Sequence, residues 1–195
     1  ATFGIVLVTT PPVDFSGVTS VEYVVATPFE SMALISISII LLLYMDLKKC
    51  YTVFMELICA PMATLSHPAF RILMEKFGGC DEYYTEMINA PALIHGGQFE
   101  KFYIDPAPVP EKLVWQLTGK TAAPMIQAAS MLCSLGGIGV DLNMGCSAPE
   151  IFNSGAGCAW MVKPAEETEE LVSGVKNVLA EFERQSGKHM RFSVK

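Results

Sequence analysis

Residues 57–195 alternate between short apolar runs and longer stretches with a helical hydrophobic period. The short runs predict five strands, Leu57–Pro61, Glu82–Ile88, Lys112–Leu117, Ile138–Leu142 and Met190–Lys195. The longer stretches predict helices near Pro68–Phe77, over Thr121–Leu135 and over Ala165–Arg184. Regular alternation of strands and helices at this spacing is typical of a parallel sheet with right-handed crossover connections.

The last predicted helix has the clearest period of the chain. Its apolar residues fall on one face at helical spacing: Leu171, Val172, Val175, Val178, Leu179 and Phe182. Four glutamates between positions 166 and 170 lie in its first turns, where negative charge suits the helix dipole. Gly187 is expected to end the helix, because glycine is the usual residue just after a helix C-terminus.

The number of strands limits the fold. Five βα units are fewer than a (β/α)₈ barrel requires, and such a barrel takes about 250 residues. The sequence therefore predicts an α/β fold that is either a small open sheet or the first part of a TIM-barrel-like (β/α)₈ fold. The open sheet edges that five strands leave favour self-association of the chain.

Residues 1–54 differ from the rest of the chain. They contain three apolar runs rich in β-branched residues, Phe3–Thr9, Val21–Thr27 and Met32–Met45. The third run has 14 residues, which is short of the ~20 that a membrane-spanning helix needs. We expect it to be a buried strand or helix rather than a membrane anchor. The predicted organisation is an apolar N-terminal extension over residues 1–54 and an α/β domain over residues 55–195.

Composition narrows the class of protein. A formal net charge of −7 argues against a generic polyanion binder, although it leaves room for a local basic patch. The six cysteines form no Cys-x-x-Cys pair and no Cys/His cluster with zinc spacing, so no metal site is predicted. The simplest interpretation is a reduced cytoplasmic protein.

The end of the fourth predicted strand carries the strongest chemical signal. After Leu142 come Asn143, Gly145 and Cys146, so an amide and a thiol stand where a strand changes to a loop. In parallel α/β proteins the active site lies at the carboxyl ends of the strands. Cys146 is therefore a candidate acid or nucleophile. We expect the segment 147–149 to keep the following residues out of a helix.

The other strand ends carry groups that suit a flavin beside a pyrimidine-like substrate. The backbone at the end of the first strand and Met62 can cover a planar ring, and the amide of Gln116 can donate and accept hydrogen bonds at the edge of a heterocycle. Lys195 can neutralise negative charge on a reduced ring, and Asn143 can pair with the edge of a base-like substrate. The sequence has no Gly-x-Ser-x-Gly elbow, Walker loop or His-Glu-x-x-His motif.

These residues belong to an ordered set of motifs that resembles a known family. Residues 57–195 resemble the N-terminal part of the tRNA-dihydrouridine synthases, which are flavin-dependent (β/α)₈ enzymes. The matching segments are, in chain order, Leu57–Met62, Phe70-Arg71, Thr85–Ala90, Trp115–Gly119, Asp141–Cys146, Gly155–Gly157 and Val194-Lys195. The most specific part is Asn-Met-Gly-Cys together with the downstream Gly-Ala-Gly.

The resemblance implies FMN at the barrel mouth, reduction of uridine in tRNA and NADPH as the usual electron source. It implies flavin contacts from Pro61, Met62, Gln116 and Lys195, a place for Asn143 beside flavin and substrate, and a proton from Cys146 to the uracil ring. The target base must leave its stack to reach the flavin. The alternatives are another FMN barrel oxidoreductase, similar to dihydroorotate dehydrogenase, and an inactive barrel fragment.

The sequence also departs from the family pattern. Ser147 stands where the family usually has proline, Thr64 where it has glycine, and His67 where it has an acidic residue. The family's later strands, which supply the flavin phosphate site, and its C-terminal helical domain, which helps to hold tRNA, have no counterpart in these 195 residues. An inactive barrel fragment is therefore retained as an alternative for the chain on its own.

Overall fold

A computed structural model describes residues 6–8 and 56–195, and residues 58–195 belong to one compact unit. The strands are β1 (Val6–Val8), β2 (Glu56–Cys59), β3 (Glu82–Tyr84), β4 (Ile88–Asn89), β5 (Leu113–Thr118), β6 (Gly139–Leu142) and β7 (Arg191–Val194). The α-helices are α1 (Pro68–Lys76), α2 (Ala90–Ile94), α3 (Glu100–Tyr103), α4 (Ala122–Cys133), α5 (Pro149–Asn153) and α6 (Ala165–Ser186). Two 3₁₀-helices cover Pro110–Lys112 and Gly157–Val162.

Strands β2, β3, β5, β6 and β7 lie side by side in that order, and all their pairings are parallel. The register of β5 on β6 places Gln116 opposite Asp141, and the register of β6 on β7 places Asp141 opposite Ser193. The order of strands follows the chain, with helices between them. This arrangement confirms the prediction of an α/β fold that corresponds to part of a TIM-barrel-like structure.

The strands bury apolar side chains on one face and polar ones on the other. Trp115, Leu117 and Leu142 are fully buried, and β5 and β6 both contact helix α4. Since side chains alternate along a strand, Gln116 and Asp141 project from the opposite face of the sheet. They are equally buried, at 0% and 1% exposed. The concave face that a barrel would enclose is therefore lined with polar groups.

The predicted strand over 82–88 is interrupted. Its first part pairs Tyr84 with Val114 of β5, and its second part pairs Ile88 with Leu117. The chain thus advances four positions from Tyr84 to Ile88 while β5 advances three, which leaves one extra residue opposite β5. Such an extra residue makes a bulge, which bends the strand and re-aims its side chains. The hydroxyl of Thr85 accepts a hydrogen bond from the backbone N–H of Gln116 at 2.9 Å, in place of a backbone carbonyl.

The long amphipathic helix forms as predicted and extends two residues further, to Ser186. Leu171, Val175 and Leu179 are its buried residues, and it packs against α4. Gly187 ends the helix in the left-handed conformation with φ of 70°, and its N–H donates to the carbonyl of Glu183 at 2.8 Å. Only glycine adopts this backbone conformation without steric cost.

Three short helices were not predicted. The expectation that residues 147–149 exclude a helix is wrong, because α5 begins at Pro149. Proline is tolerated in the first turn, where its missing N–H has no partner to lose. Helix α2 has Pro91 in its first turn too, and the side chain of Asn89 caps it by accepting from Ala92 N–H at 3.0 Å.

The predictions for residues 1–54 lie outside the described residues, except that β1 falls within the first apolar run. Over 6–8 and 56–195, no helix combines the length and the apolar character that crossing a membrane requires. The domain boundary at residues 54 and 55 stays a prediction.

Candidate functional site

The six residues predicted for the site lie at one edge of the sheet. Pro61 and Met62 follow β2, Gln116 lies near the end of β5, Asn143 and Cys146 follow β6, and Lys195 follows β7. Because these strands are parallel, their carboxyl ends lie at the same edge. The fold therefore brings together residues that are far apart in the sequence.

Gln116 and Asn143 are in direct contact. The side-chain amide of Asn143 donates from Nδ2 to Oε1 of Gln116 at 3.1 Å. Both side chains are buried, at 0% and 2% exposed. Two amides that the sequence separates by a helix are thus coupled into one polar pair in the protein interior.

Asn143 also holds the loop that carries Cys146. Its Oδ1 accepts from the backbone N–H of Cys146 at 3.0 Å and from that of Gly145 at 3.3 Å. Asparagine commonly stabilises a turn by accepting from backbone N–H groups just ahead of it. Cys146 is half-buried, so its thiol is positioned by the turn and still reachable.

The Gly-Ala-Gly segment supports this loop from the other side. The carbonyl of Cys146 accepts from the N–H of Cys158 at 2.9 Å. Gly157 has φ of 59°, and a Cβ at this position would lie 2.4 Å from the same carbonyl oxygen and 2.7 Å from Cγ2 of Ile151. Only a glycine fits so close to the loop, which accounts for its place in the motif.

Asp141 and Ser193 extend the polar pair further into the sheet. Gln116 donates from Nε2 to Oδ2 of Asp141 at 2.7 Å, and the hydroxyl of Ser193 donates to Oδ1 of Asp141 at 2.6 Å. Burial raises the pKa of Asp141, while these two hydrogen bonds lower it. Neither residue was predicted from the sequence as part of the site. The sequence signal that could have indicated Asp141 is a charged residue inside an apolar strand.

Lys195 is attached to the site through its backbone. Its N–H donates to the carbonyl of Leu142 at 3.0 Å, and its carbonyl accepts from the N–H of Met144 at 2.8 Å. The residue is exposed, and its positive charge lowers the pKa of Asp141. A cation therefore stands beside the buried polar chain.

The loop after β2 places Pro61 and Met62, both half-buried. The N–H of Met62 donates to Oγ of Ser66 at 2.8 Å, and the N–H of Thr64 donates to Oε2 of Glu86 at 2.5 Å. Thr64 has φ of 62°, in the left-handed region that is costly for a β-branched residue. The carboxylate of Glu86 thus ties this loop to the bulged segment between β3 and β4.

Arg71, from the Phe-Arg motif, has a structural role. It is 1% exposed, and its guanidinium donates to the backbone carbonyls of Ser66 at 2.9 Å, Asp105 at 2.5 Å and Ala107 at 3.0 Å. Burial lowers its pKa. Arg71 therefore joins the end of the β2 loop to the segment before β5.

The residues at this edge fit a polar heterocycle. The Thr118 hydroxyl lies two positions beyond Gln116 on β5, is buried, and has no hydrogen-bond partner among the described residues. A buried hydroxyl without a partner is unfavourable, and a bound polar ring would satisfy it. The amide of Gln116 retains one N–H and one acceptor site after its internal bonds. Within the described ranges, no group of His, Cys, Asp or Glu could hold a metal ion.

Comparison with known proteins identifies the family that the chain matches. The family model described as dihydrouridine synthase matches residues 58–182, which is more than half of the chain. A tRNA-dihydrouridine synthase B from Pseudomonas syringae pv. tomato is 33% identical over 109 residues, covering 56% of this chain and 32% of that protein. A probable tRNA-dihydrouridine synthase from Aquifex aeolicus is 32% identical over 135 residues, covering 62% of this chain and 39% of that protein.

A human protein named tRNA-dihydrouridine(20a/20b) synthase (NAD(P)+)-like is also similar. It is 31% identical over 122 residues, covering 62% of this chain and 37% of that protein. The chain therefore spans between about a third and two fifths of the length of these relatives.

Proposed function

Because the chain belongs to the dihydrouridine synthase family, we propose that it carries the amino-terminal part of an FMN-dependent oxidoreductase that reduces uridine in tRNA to dihydrouridine. The observation that carries this proposal is the Cys146 loop. Asn143 holds its backbone and, at the same time, contacts Gln116, so a half-buried thiol lies beside amides that can bind a ring. The names of the relatives support this function at the level of the family.

The cofactor proposal rests on the residues around the amide pair. Gln116, Thr118 and Lys195 would bind the polar edge of FMN, and Pro61 and Met62 would cover its ring. When bound, FMN would supply the hydride chemistry for the uracil ring, with NADPH as the proposed electron source. The printed name of the human relative includes NAD(P)+, which supports a nicotinamide electron donor for that protein.

The residues of the chain supply the remaining chemistry. Cys146 would donate the proton from Sγ to the other carbon of the reduced double bond, because a positioned thiol can act as a general acid. Asn143 would orient the base while its own Oδ1 keeps the Cys146 loop in place. The uridine must be turned out of its stack to reach this edge of the sheet, and tRNA is the proposed partner. Residues 55–195 would form the partial FMN-binding barrel domain of a cytoplasmic enzyme.

The decisive experiment compares the thiols of Cys146 and Cys158, two residues whose backbones are joined by a hydrogen bond. The chain, its Cys146→Ala variant and its Cys158→Ala variant are purified and loaded with FMN, and the bound flavin is identified from its visible spectrum after acid release. Each sample then receives NADPH and an unmodified tRNA transcript, and dihydrouridine is measured by mass spectrometry of the nucleosides. We expect all three proteins to bind FMN, and C146A alone to lose product by at least about 100-fold.

Each other outcome has a defined meaning. Full product from C146A would contradict the role of its thiol. Reduction or oxidation of a small pyrimidine without any reaction on tRNA would favour the dihydroorotate-dehydrogenase-like alternative. Failure of the wild-type chain to take up FMN at saturating concentration would contradict the proposal for this chain and favour the inactive fragment.

A further inference from the structure

A salt bridge crosses the concave face of the sheet near the amino ends of its strands. The guanidinium of Arg191, at the start of β7, donates from Nη1 and Nη2 to the two carboxylate oxygens of Glu82, at the start of β3. The same Nη2 donates to the hydroxyl of Tyr84 at 3.4 Å. Glu82 is buried, and the side chain of Arg191 is 39% exposed. We call Arg191 and Glu82 the cross-sheet pair.

The cross-sheet pair joins two strands that are not neighbours. Strands β5 and β6 lie between β3 and β7, so three strand spacings of about 4.8 Å each separate the two backbones. At the level of Arg191, the pairing register places one residue of each strand in a single row, Tyr84, Val114, Gly139 and Arg191. Side chains in one such row project from the same face of the sheet.

The glycine in this row leaves room for the arginine side chain. Gly139 lies opposite Arg191 on β6, and a Cβ at this position would lie 2.7 Å from the carbonyl oxygen of Arg191 and 3.1 Å from its Cβ. Arg191 projects from the same face as Ser193, two residues later, which contacts Asp141 on the concave face. The arginine therefore crosses β6 and β5 on the concave side, over a glycine and a valine, to reach β3.

A partly buried ion pair of this kind contributes little net stability. Desolvation of the two charges offsets much of their attraction, and a pair of apolar side chains of similar volume is often as stable. Apolar side chains do not supply a directional contact of two parallel hydrogen bonds between two backbones. The cross-sheet pair therefore affects the geometry of the sheet more than the free energy of unfolding.

Strand β7 is the strand that this contact constrains most. Within residues 6–8 and 56–195, β7 is the last strand of the sheet and pairs with β6 alone. Lys195 follows Arg191 by four residues along this strand, and Glu86 follows Glu82 by four residues on the other side. Glu86 in turn accepts from the N–H of Thr64 in the loop after β2. The cross-sheet pair thus connects the two sides of the candidate site.

We propose that Arg191 and Glu82 are positioning residues, which hold β7 toward β3 and so set the place of Lys195 relative to the loop after β2. The inference rests on the proposed function, since it takes Lys195, Pro61 and Met62 as flavin contacts. Neither member of the pair touches flavin or substrate in this proposal. Both act through the strands that carry the contacts.

The first test needs no flavin and compares two adjacent amides. The N–H of Met144 donates to the carbonyl of Lys195 at 2.8 Å, whereas the N–H of Asn143 donates to the carbonyl of Leu117 on β5 at 2.9 Å. Hydrogen exchange of both is measured by NMR in the wild-type chain and in the apolar double variant R191M/E82M. We expect exchange at Met144 to become at least about tenfold faster and exchange at Asn143 to change by less than about threefold.

Two results of this test would overturn the proposal. One is unchanged exchange at Met144, and the other is equal acceleration at both amides, which would indicate a general loss of stability. Arg191→Lys serves as a second variant, because it keeps the charge but loses the two-pronged contact with Glu82. Faster exchange at Met144 alone is expected in R191K too, and this variant decides the matter if R191M/E82M does not fold.

The second test measures FMN affinity by quenching of flavin fluorescence. We expect R191M/E82M to bind FMN at least about tenfold more weakly than the wild-type chain, although it melts at a similar temperature. Gly187→Ala is the control for stability alone, because alanine is strained at φ of 70° and its Cβ would meet no atom within 4 Å. We expect G187A to melt at a lower temperature and to bind FMN within about threefold of the wild-type chain.

The outcomes separate this proposal from the proposed function. Wild-type FMN affinity in R191M/E82M, or equal weakening in G187A, would overturn the positioning role. If the wild-type chain binds no FMN, the proposed function fails for this chain, while exchange at Met144 and Asn143 still decides whether the cross-sheet pair holds β7.

Discussion

The loop after β2 and the loop after β6 lie at the same edge of the sheet, but they are held in different ways. The β6 loop is secured by the side chain of Asn143 and by the close approach of Gly157. The β2 loop is secured by Ser66 and Glu86, and it contains a threonine in the left-handed region.

The difference corresponds to where the sequence departs from its family. In the β2 loop, Thr64 has φ of 62° at a position where the resemblance leads us to expect glycine, and His67 stands at the N-cap of α1 without a side-chain hydrogen bond to the helix. In the β6 loop, Ser147 replaces a proline, yet the groups that hold Cys146 are all present. Thr64 thus adds local strain beside the proposed flavin contacts, while the groups that support the Cys146 loop are all present.

The largest effect is expected at Gly157. In Gly157→Ala the new methyl group would overlap the carbonyl oxygen of Cys146. The alanine backbone would also have to keep the positive φ of this position, which alanine adopts only with strain. We expect a loss of about 3 kcal/mol of unfolding free energy in urea titrations, from strain and overpacking together. Gly155→Ala is the matched control, because its φ is 85° but its nearest neighbour would be Cβ of Lys120 at 3.5 Å. A similar loss in both variants would show that the contact with Cys146 contributes nothing.

The next effect is a gain at Thr64. Thr64→Gly removes a β-branched side chain from the left-handed region and keeps the backbone N–H that binds Glu86. We expect about 1 kcal/mol more unfolding free energy. Thr64→Ala, which retains a Cβ, should gain less. A destabilised T64G would mean that the threonine side chain stabilises the loop through its own contacts.

A smaller gain is expected at the start of α1. His67→Asp places a carboxylate at the N-cap, where it can accept from a backbone N–H of the first turn and interact favourably with the helix dipole. We expect about 0.5 kcal/mol more unfolding free energy at neutral pH, and no gain for His67→Ala. Loss of the gain when the aspartate is protonated at low pH would identify the charge as its cause.

The smallest expected effect is the pH dependence of stability. It is small because burial raises the pKa of Asp141 while hydrogen bonds from Ser193 and Gln116 lower it. Burial raises its pKa above the usual 3.8, so the folded chain binds a proton more readily than the unfolded chain. The resulting stability is present below the ordinary carboxyl pKa and is lost as pH rises through the raised pKa. We expect the unfolding free energy of the wild-type chain, relative to D141N, to fall as pH increases from about 4 to neutral. A relative stability that instead rises with pH would show that the hydrogen bonds outweigh burial.

Local chemistry made much of the fold predictable. The five strands and the three longest helices follow from periodicity, and Gly187 ends α6 because glycine tolerates a positive φ. The short helices α2 and α5 were missed because each has a proline in its first turn. In a sequence, such a proline resembles a helix-breaking signal unless the start of the helix is already known.

The candidate site divides in the same way. Cys146, Asn143 and Gln116 were predictable, because each is a polar residue at the end of an apolar run. Asp141 and Ser193 were not, since their importance depends on the register that sets them opposite each other and next to Gln116. From the sequence, Thr64 was only a departure from the family pattern. The strain at this residue became evident from its φ of 62° in the structure.

The sequence by itself determined the strand and helix periods, the family motifs and the candidate residues, because these depend on near neighbours along the chain. Only the tertiary structure decided how the site is connected. Parallel pairing of β5, β6 and β7 brings three polar side chains into one row, and the two buried ones, Gln116 and Asp141, must each find a partner. The direction of the hydrogen bonds from Asn143 through Gln116 to Asp141 then follows from the backbone N–H of Cys146, which can only donate.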